Sequence, residues 1–175
     1  VANIDLEDYS QAIGDCSAAL QLDSSCAEAH YVKGLAYSKL QEQQNAISEF
    51  TRVIQIDPCH AHSYYRRGYL YEQQEDYRKA SDDYSEAIRY EQGLEEAYFR
   101  RGIVYAEQGW YEEAIGQYNQ AISLNLAHAD VYNRRGTSYL NLGRYIQAIN
   151  DYDEAVRLDP DLSDAYNNRG VAHNN

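Results

Sequence analysis

The chain reads as an all-α solenoid of antiparallel helix pairs, and three observations predict it. Residue types return every 34 positions, so that Gly136 has counterparts at Gly102, Gly68 and Gly34. A fixed period of this kind marks stacked supersecondary units, each unable to bury its apolar face without a neighbour. Within each period two runs carry apolar residues at helical spacing, and turn residues stand between them.

The unit is clearest over Ala129 to Leu162. Tyr132, Tyr139 and Leu142 share one face of a first helix, and Tyr145, Ala148, Ile149, Tyr152, Ala155 and Val156 share one face of a second. Between them Leu142-Gly143-Arg144 predicts a tight turn, with Gly143 where a helix end commonly takes a positive φ. Asp159-Pro160 ends the second helix, because proline cannot continue one and biases its predecessor away from helical geometry. With Ala129 as position 1, complete units span 27–60, 61–94, 95–128 and 129–162. Residues 1–26 correspond to the end of a first helix and a whole second helix, with Tyr9, Ala12, Cys16 and Ala19 on its apolar face. Residues 163–175 correspond to the first helix of a further unit. The whole of 1–175 is then one array, whose length measures repeat number and not the size of a single core.

The net charge of −13 and pI near 4.7 argue against a nucleic-acid backbone or an anionic membrane as the main partner, since either requires a basic face. No run approaches the roughly 20 apolar residues that span a bilayer, and the N-terminus lacks the charged-then-apolar order of a signal peptide. The chain opens inside a repeat and contains no methionine, which reads as a fragment or processed piece. Its three cysteines form no framework spacing and fit free thiols in a reducing compartment, so a cytoplasmic location is expected.

Nothing in the sequence adds up to chemistry. Cys59-His60-Ala61-His62 gathers three ligand types in one turn, but structural zinc normally takes four, and a plain turn is expected. Asp82-Asp83 and Glu112-Glu113 read as solvated faces, because acid–base catalysis needs a pocket that shifts pKa. No glycine-rich phosphate loop follows a strand. The expectation is a non-enzyme without metal or cofactor.

Glycine at position 8 (Gly34, Gly68, Gly102, Gly136, Gly170), tyrosine at 11, alanine at 20 (Ala46, Ala80, Ala114, Ala148), an aromatic at 24 (Phe50, Tyr84, Tyr118, Tyr152), alanine at 27 and proline at 32 together resemble the tetratricopeptide repeat. The resemblance covers essentially the whole chain. It implies close approach of the two helices at positions 8 and 20, with the aromatic at 24 filling the space between successive units. Proline at 32 survives only as Pro58 and Pro160; Gln92 and Leu126 replace it elsewhere.

The resemblance also implies stacking into a right-handed superhelix whose concave groove is lined by positions 2, 5, 6, 9, 12 and 13 of the first helices. Tyr31, Tyr65, Phe99, Asn133 and Asn167 stand at position 5. Arg66, Arg100 and Arg134 stand at 6, and Leu35, Tyr69, Ile103 and Thr137 at 9. Most of the 19 tyrosines are accounted for at positions 4, 11, 17 and 24, which leaves Tyr31, Tyr65 and Tyr69 spare for this groove, while Tyr90 fits packing against the next turn. Glu96 with Arg100 and Asp130 with Arg134 are also placed for pairing along one helix, a competing use of those arginines. The basic residues at position 7, Lys33, Arg67, Arg101, Arg135 and Arg169, recur with the unit and are expected to pair within the array, with Glu49, Asp83 and Asp151 at position 23 as partners.

The family's two-carboxylate clamp for the acidic tails of heat-shock chaperones is absent here, since position 5 has no lysine, position 9 no asparagine, and position 2 is mostly acidic. Of the asparagine ladder found in the arm of the intracellular sugar transferase, only Asn168 is present at position 6. The resemblance therefore implies an interaction scaffold holding a peptide or protein segment in its groove. Two other readings stand beside it: self-association through the terminal repeats into a homo-oligomer, and the substrate-recognition arm of a larger enzyme.

Overall fold

The computed structural model describes residues 2–175, with side chains from Asp8 onward. Among the described residues there are ten helices and no strand, in two compact units, Val1–Glu91 and Gln92–Asn175. The first unit holds α1 (Ala2–Leu22), α2 (Ala27–Lys39), α3 (Gln43–Ile56), α4 (Ala61–Gln73) and α5 (Tyr77–Tyr90). Here α2 packs on α3 and α4 on α5 as the two helix pairs; α1 lies against α2, and α3 against α4. The second unit holds α6 (Glu95–Glu107), α7 (Tyr111–Ser123), α8 (Ala129–Asn141), α9 (Tyr145–Leu158) and α10 (Ser163–His173). There α6 pairs with α7 and α8 with α9, while α7 packs on α8 and α10 on α9.

Each pair turns in the same way. The first helix ends with position 15 at positive φ, namely Gln41 (60°), Glu75 (58°), Gly109 (78°) and Gly143 (70°). In the second repeat the amide of Glu75 bonds to the carbonyl of Glu72 at 2.9 Å, and that of Asp76 to Tyr71 at 2.9 Å. Gly143 to Leu140 and Arg144 to Tyr139 repeat the pattern, both at 2.9 Å. These paired hydrogen bonds satisfy carbonyls that a helix end leaves orphaned. The turn predicted at Gly143 is present, and two repeats make it without glycine.

The core of each pair is a ring lying on a glycine. A Cβ on Gly102 would stand 2.6 Å from Tyr118 Cε1, and one on Gly136 would stand 2.8 Å from Tyr152 Cε1. Gly34 meets Phe50 at 2.8 Å in the same way. The position-24 aromatic therefore fills its own repeat first, where only hydrogen fits. It also reaches onward: Phe50 shares a core cluster with Leu70, and Tyr152 with Ala172, each from the following first helix. Phe50, Tyr84, Tyr118 and Tyr152 are fully buried.

Position 7 ties the repeats together. Arg67 donates from Nε and Nη2 to the two oxygens of Asp83 at 2.8 and 2.7 Å, and from Nη1 to Thr51 Oγ1 in the preceding repeat at 3.0 Å. Arg135 does the same with Asp151 at 2.8 and 2.6 Å and with Asn119 at 2.7 Å. Lys33 pairs with Glu49 at 3.2 Å, and Arg101 donates twice to Gln117, at 3.0 and 2.6 Å. Glu49, Asp83 and Asp151 are the position-23 partners expected, whereas Arg101 meets the neutral Gln117 and Arg169 pairs with Asp153, two residues further along α9. Burial pushes the Asp83 carboxyl up, and the Arg67 guanidinium pulls it only part of the way back.

One boundary differs from expectation. The first residues form a single helix, Ala2–Leu22, and not the end of one helix followed by another. Leu6, Glu7 and Asp8 stand where the other repeats turn, and all three residue types are compatible with helix. On α1 Tyr9, Ala12 and Cys16 are half-buried, whereas Ala19 is exposed. Val1 lies outside the described residues.

Candidate functional site

In the first unit the face built by the first helices carries a cleft of about 660 Å³. From α2 come Leu35, Ser38 and Lys39, and from α4 come Arg66, Tyr69, Leu70 and Gln73. Gln41 and Gln43, at the turn into α3, complete the lining. Leu70 is buried, and Leu35 is half-buried against the same core cluster, so part of the wall is apolar. The amides are held in order: Gln43 donates to Gln73 Oε1 at 3.2 Å, and Gln73 donates to the Tyr69 hydroxyl at 3.0 Å. The charged groups lining this cleft are Lys39 and Arg66, both positive.

In the second unit a smaller cleft of about 320 Å³ lies against α8, which contributes Asp130, Asn133, Arg134, Thr137, Ser138 and Asn141. Glu107 of α6 and Asp164 of α10 add carboxylates. Arg134 donates to Asp130 at 3.0 Å, the intrahelical pair considered from sequence; with both side chains over 40% exposed it is worth only ~0.3–0.5 kcal/mol. This cleft is polar and acidic where that of the first unit is basic.

Of the residues expected to line a groove, Leu35, Arg66 and Tyr69 share the first cleft, and Asn133, Arg134 and Thr137 the second. Position 5 behaves otherwise. Tyr31 lies with its ring centroid 5.8 Å from Phe50, Tyr65 5.9 Å from Tyr84, and Phe99 6.0 Å from Tyr118. Each of these rings packs on the position-24 ring of its own repeat. Phe99 and Ile103, each 7% exposed, belong to the core cluster with Ala114, Leu126 and Val131. Asn133 is also buried, its side chain accepting from Asn168 at 3.3 Å. Arg100 is half-buried and Asn167 exposed, and both lie outside these two clefts.

Lys39, Gln73, Glu107 and Asn141 stand at position 13 and Ser38 at position 12, two positions the resemblance puts on the groove, but the sequence singled out none of these side chains. The signal was available, since polar side chains at position 13 in all four complete repeats have no role in the helix pair. The Cys59-His60-Ala61-His62 turn is otherwise employed: His60 Nδ1 caps α4 by accepting from the Ser63 amide at 3.2 Å, and His62 lies 3.2 Å from Glu91. Among the described residues no three metal-ligating groups cluster, and no helix is long and apolar enough to cross a membrane.

Stacked helix pairs, with their open clefts lined by first-helix side chains, define a helical-repeat protein of the kind that serves as an interaction scaffold. The chain belongs to the tetratricopeptide repeat family: the tetratricopeptide repeat model matches residues 27–59 and 61–93, and a TPR repeat model matches 104–143 and 136–175. No curated protein sequence matches it. Similar solved structures include YrrB, described as a TPR protein with an unusual peptide-binding site, at TM-score 0.84 and 24% identity over 94% of this chain and 84% of that one. MamA is similar at TM-score 0.83 and 23% identity, over 88% and 90% of the two chains. The first TPR of Spaghetti (RPAP3), bound to the HSP90 peptide SRMEEVD, is similar at TM-score 0.63 and 24% identity, over 65% and 90%. At such identities each likeness shows the fold.

Proposed function

We propose that the chain is a protein-interaction scaffold whose first-helix face receives a segment of another protein. The carrying observation is the 660 Å³ cleft, whose lining includes Lys39, Arg66 and Tyr69, side chains outside the helix-pair core. An extended or short helical segment fits such a face, with apolar contact to Leu35 and Tyr69 and hydrogen bonds to the ordered glutamines. Peptide binding by relatives of the same fold, YrrB and the first TPR of Spaghetti, supports the reading. No catalytic step is assigned to the chain.

The test is selection of peptides from a random library, followed by titration calorimetry against Tyr69→Ala and, as a control on the other helix layer, Gln55→Ala. An aromatic anchor typically costs at least ~2 kcal/mol on truncation, so Tyr69→Ala is expected to weaken binding by about 30-fold or more with helicity unchanged. Equal binding by the Tyr69 variant and the parent chain would reject this face as the site.

A further inference from the structure

Resting on that reading, we infer that the segment bound by the first unit is acidic: an internal stretch with carboxylate side chains on either side of an apolar residue. The chain carries 28 acidic residues against 15 lysines and arginines, so a basic residue has carboxylates in excess to choose from. Most take one: Lys33, Arg67, Lys79, Arg89, Arg134, Arg135, Arg144, Arg157 and Arg169 all sit in ion pairs. Lys39 and Arg66 make no ion pair with any described residue, and they share one cleft whose lining contains no carboxylate.

The Arg66 guanidinium stands 5.7 Å from the centroid of the Tyr65 ring, a contact that steadies it without neutralising it. Two positive charges over low-dielectric walls focus a field that favours anions, against the repulsion of the rest of the molecule. They stand on separate helices, α2 and α4, with Leu35 and Leu70 also lining the cleft. Cations carried on two different helices of a cleft that also holds leucines suit two carboxylate side chains and an apolar one, more than a single chain-terminal carboxylate. The surrounding glutamines supply donors and acceptors for the peptide backbone.

The experiment uses fluorescence anisotropy of the whole chain with short peptides blocked at both ends. One has the order acid, leucine, acid; a second replaces the acids by glutamine; a third by lysine. The acidic peptide is expected to bind at least about tenfold more tightly than the glutamine form and to weaken as salt is raised. Lys39→Gln and Arg66→Gln are each expected to lose about tenfold or more, and Arg89→Gln, outside the cleft, nothing; circular dichroism confirms that all three fold. Equal or tighter binding of the lysine peptide, indifference to both cleft variants, or binding only with a free C-terminus overturns the inference. Tighter binding of a single-stranded oligonucleotide than of the acidic peptide also overturns it. Library peptides that are neutral or basic, ignore both glutamine variants, yet are lost in Tyr69→Ala would sink the acidic assignment alone; retention in Tyr69→Ala would sink the site itself.

Discussion

Arg67 grips both carboxylate oxygens of Asp83 across its own helix pair, and its third nitrogen reaches Thr51 of the repeat before. One side chain thereby couples the inside of a repeat to its predecessor. Asp83 is 8% exposed and Arg67 16%, so removing the acid strands a largely desolvated charge. Asp83→Ala is expected to cost about 3 kcal/mol in urea unfolding. Asp83→Asn is expected to cost only about 1 kcal/mol, because an amide can still accept a hydrogen bond from the guanidinium. Gln117 already does this for Arg101. Equal damage from the two substitutions would show that charge, and not hydrogen bonding, holds the joint.

Position 8 makes a second comparison within one chain. Gly102→Ala would drive a methyl to 2.6 Å from the buried Tyr118 ring, an overpacking expected to cost about 1–3 kcal/mol. Gly170→Ala, in α10, meets nothing within 4 Å and is expected to stabilise by up to ~1 kcal/mol through helix propensity. Thermal unfolding of both variants reads the contrast, and similar melting temperatures would contradict the ring-on-glycine account.

Alkaline unfolding should involve Tyr152. Its ring is fully buried, its hydroxyl lies 3.3 Å from Thr137 Oγ1, and burial pushes its pKa above the ordinary 10.0. The fold thus favours the neutral phenol. That contribution is complete below pH 10.0 and is lost as pH rises from there through the raised folded value. Tyr152→Phe lacks the titration, so the stability difference between parent and variant should shift in favour of the variant from about pH 8 to about pH 11. A difference that stays flat across that range would count against the assignment.

The helix pairs and the position 7 to position 23 contacts were legible because both repeat with the unit and each has an evident physical purpose. Position 5 was not. Tyr31, Tyr65 and Phe99 recur just as regularly, but a period reports recurrence and says little about which way a side chain leans between a core and a groove. Their rings lie against Phe50, Tyr84 and Tyr118. Lys39, Gln73, Glu107 and Asn141 went unnamed for the opposite reason: position 13 was expected on the groove and is polar in every complete repeat, but its residue type changes each time, so no one side chain stood out. The helix break near the start was misplaced because the same turn is made elsewhere by Gln41 and Glu75, leaving no single residue type to mark it.

That variety at position 13 separates two properties that most folds entangle. The ring on glycine, the turn closed by two hydrogen bonds and the arginine grip are met by other positions, so Lys39 or Gln73 can be exchanged with little disturbance to the core. On the scaffold reading proposed above, preference for a partner would be an independent variable in each repeat, adjustable by one substitution at little thermodynamic cost. A designer could shuffle or rewrite repeats to change what the array recognises while leaving its melting temperature almost where it was.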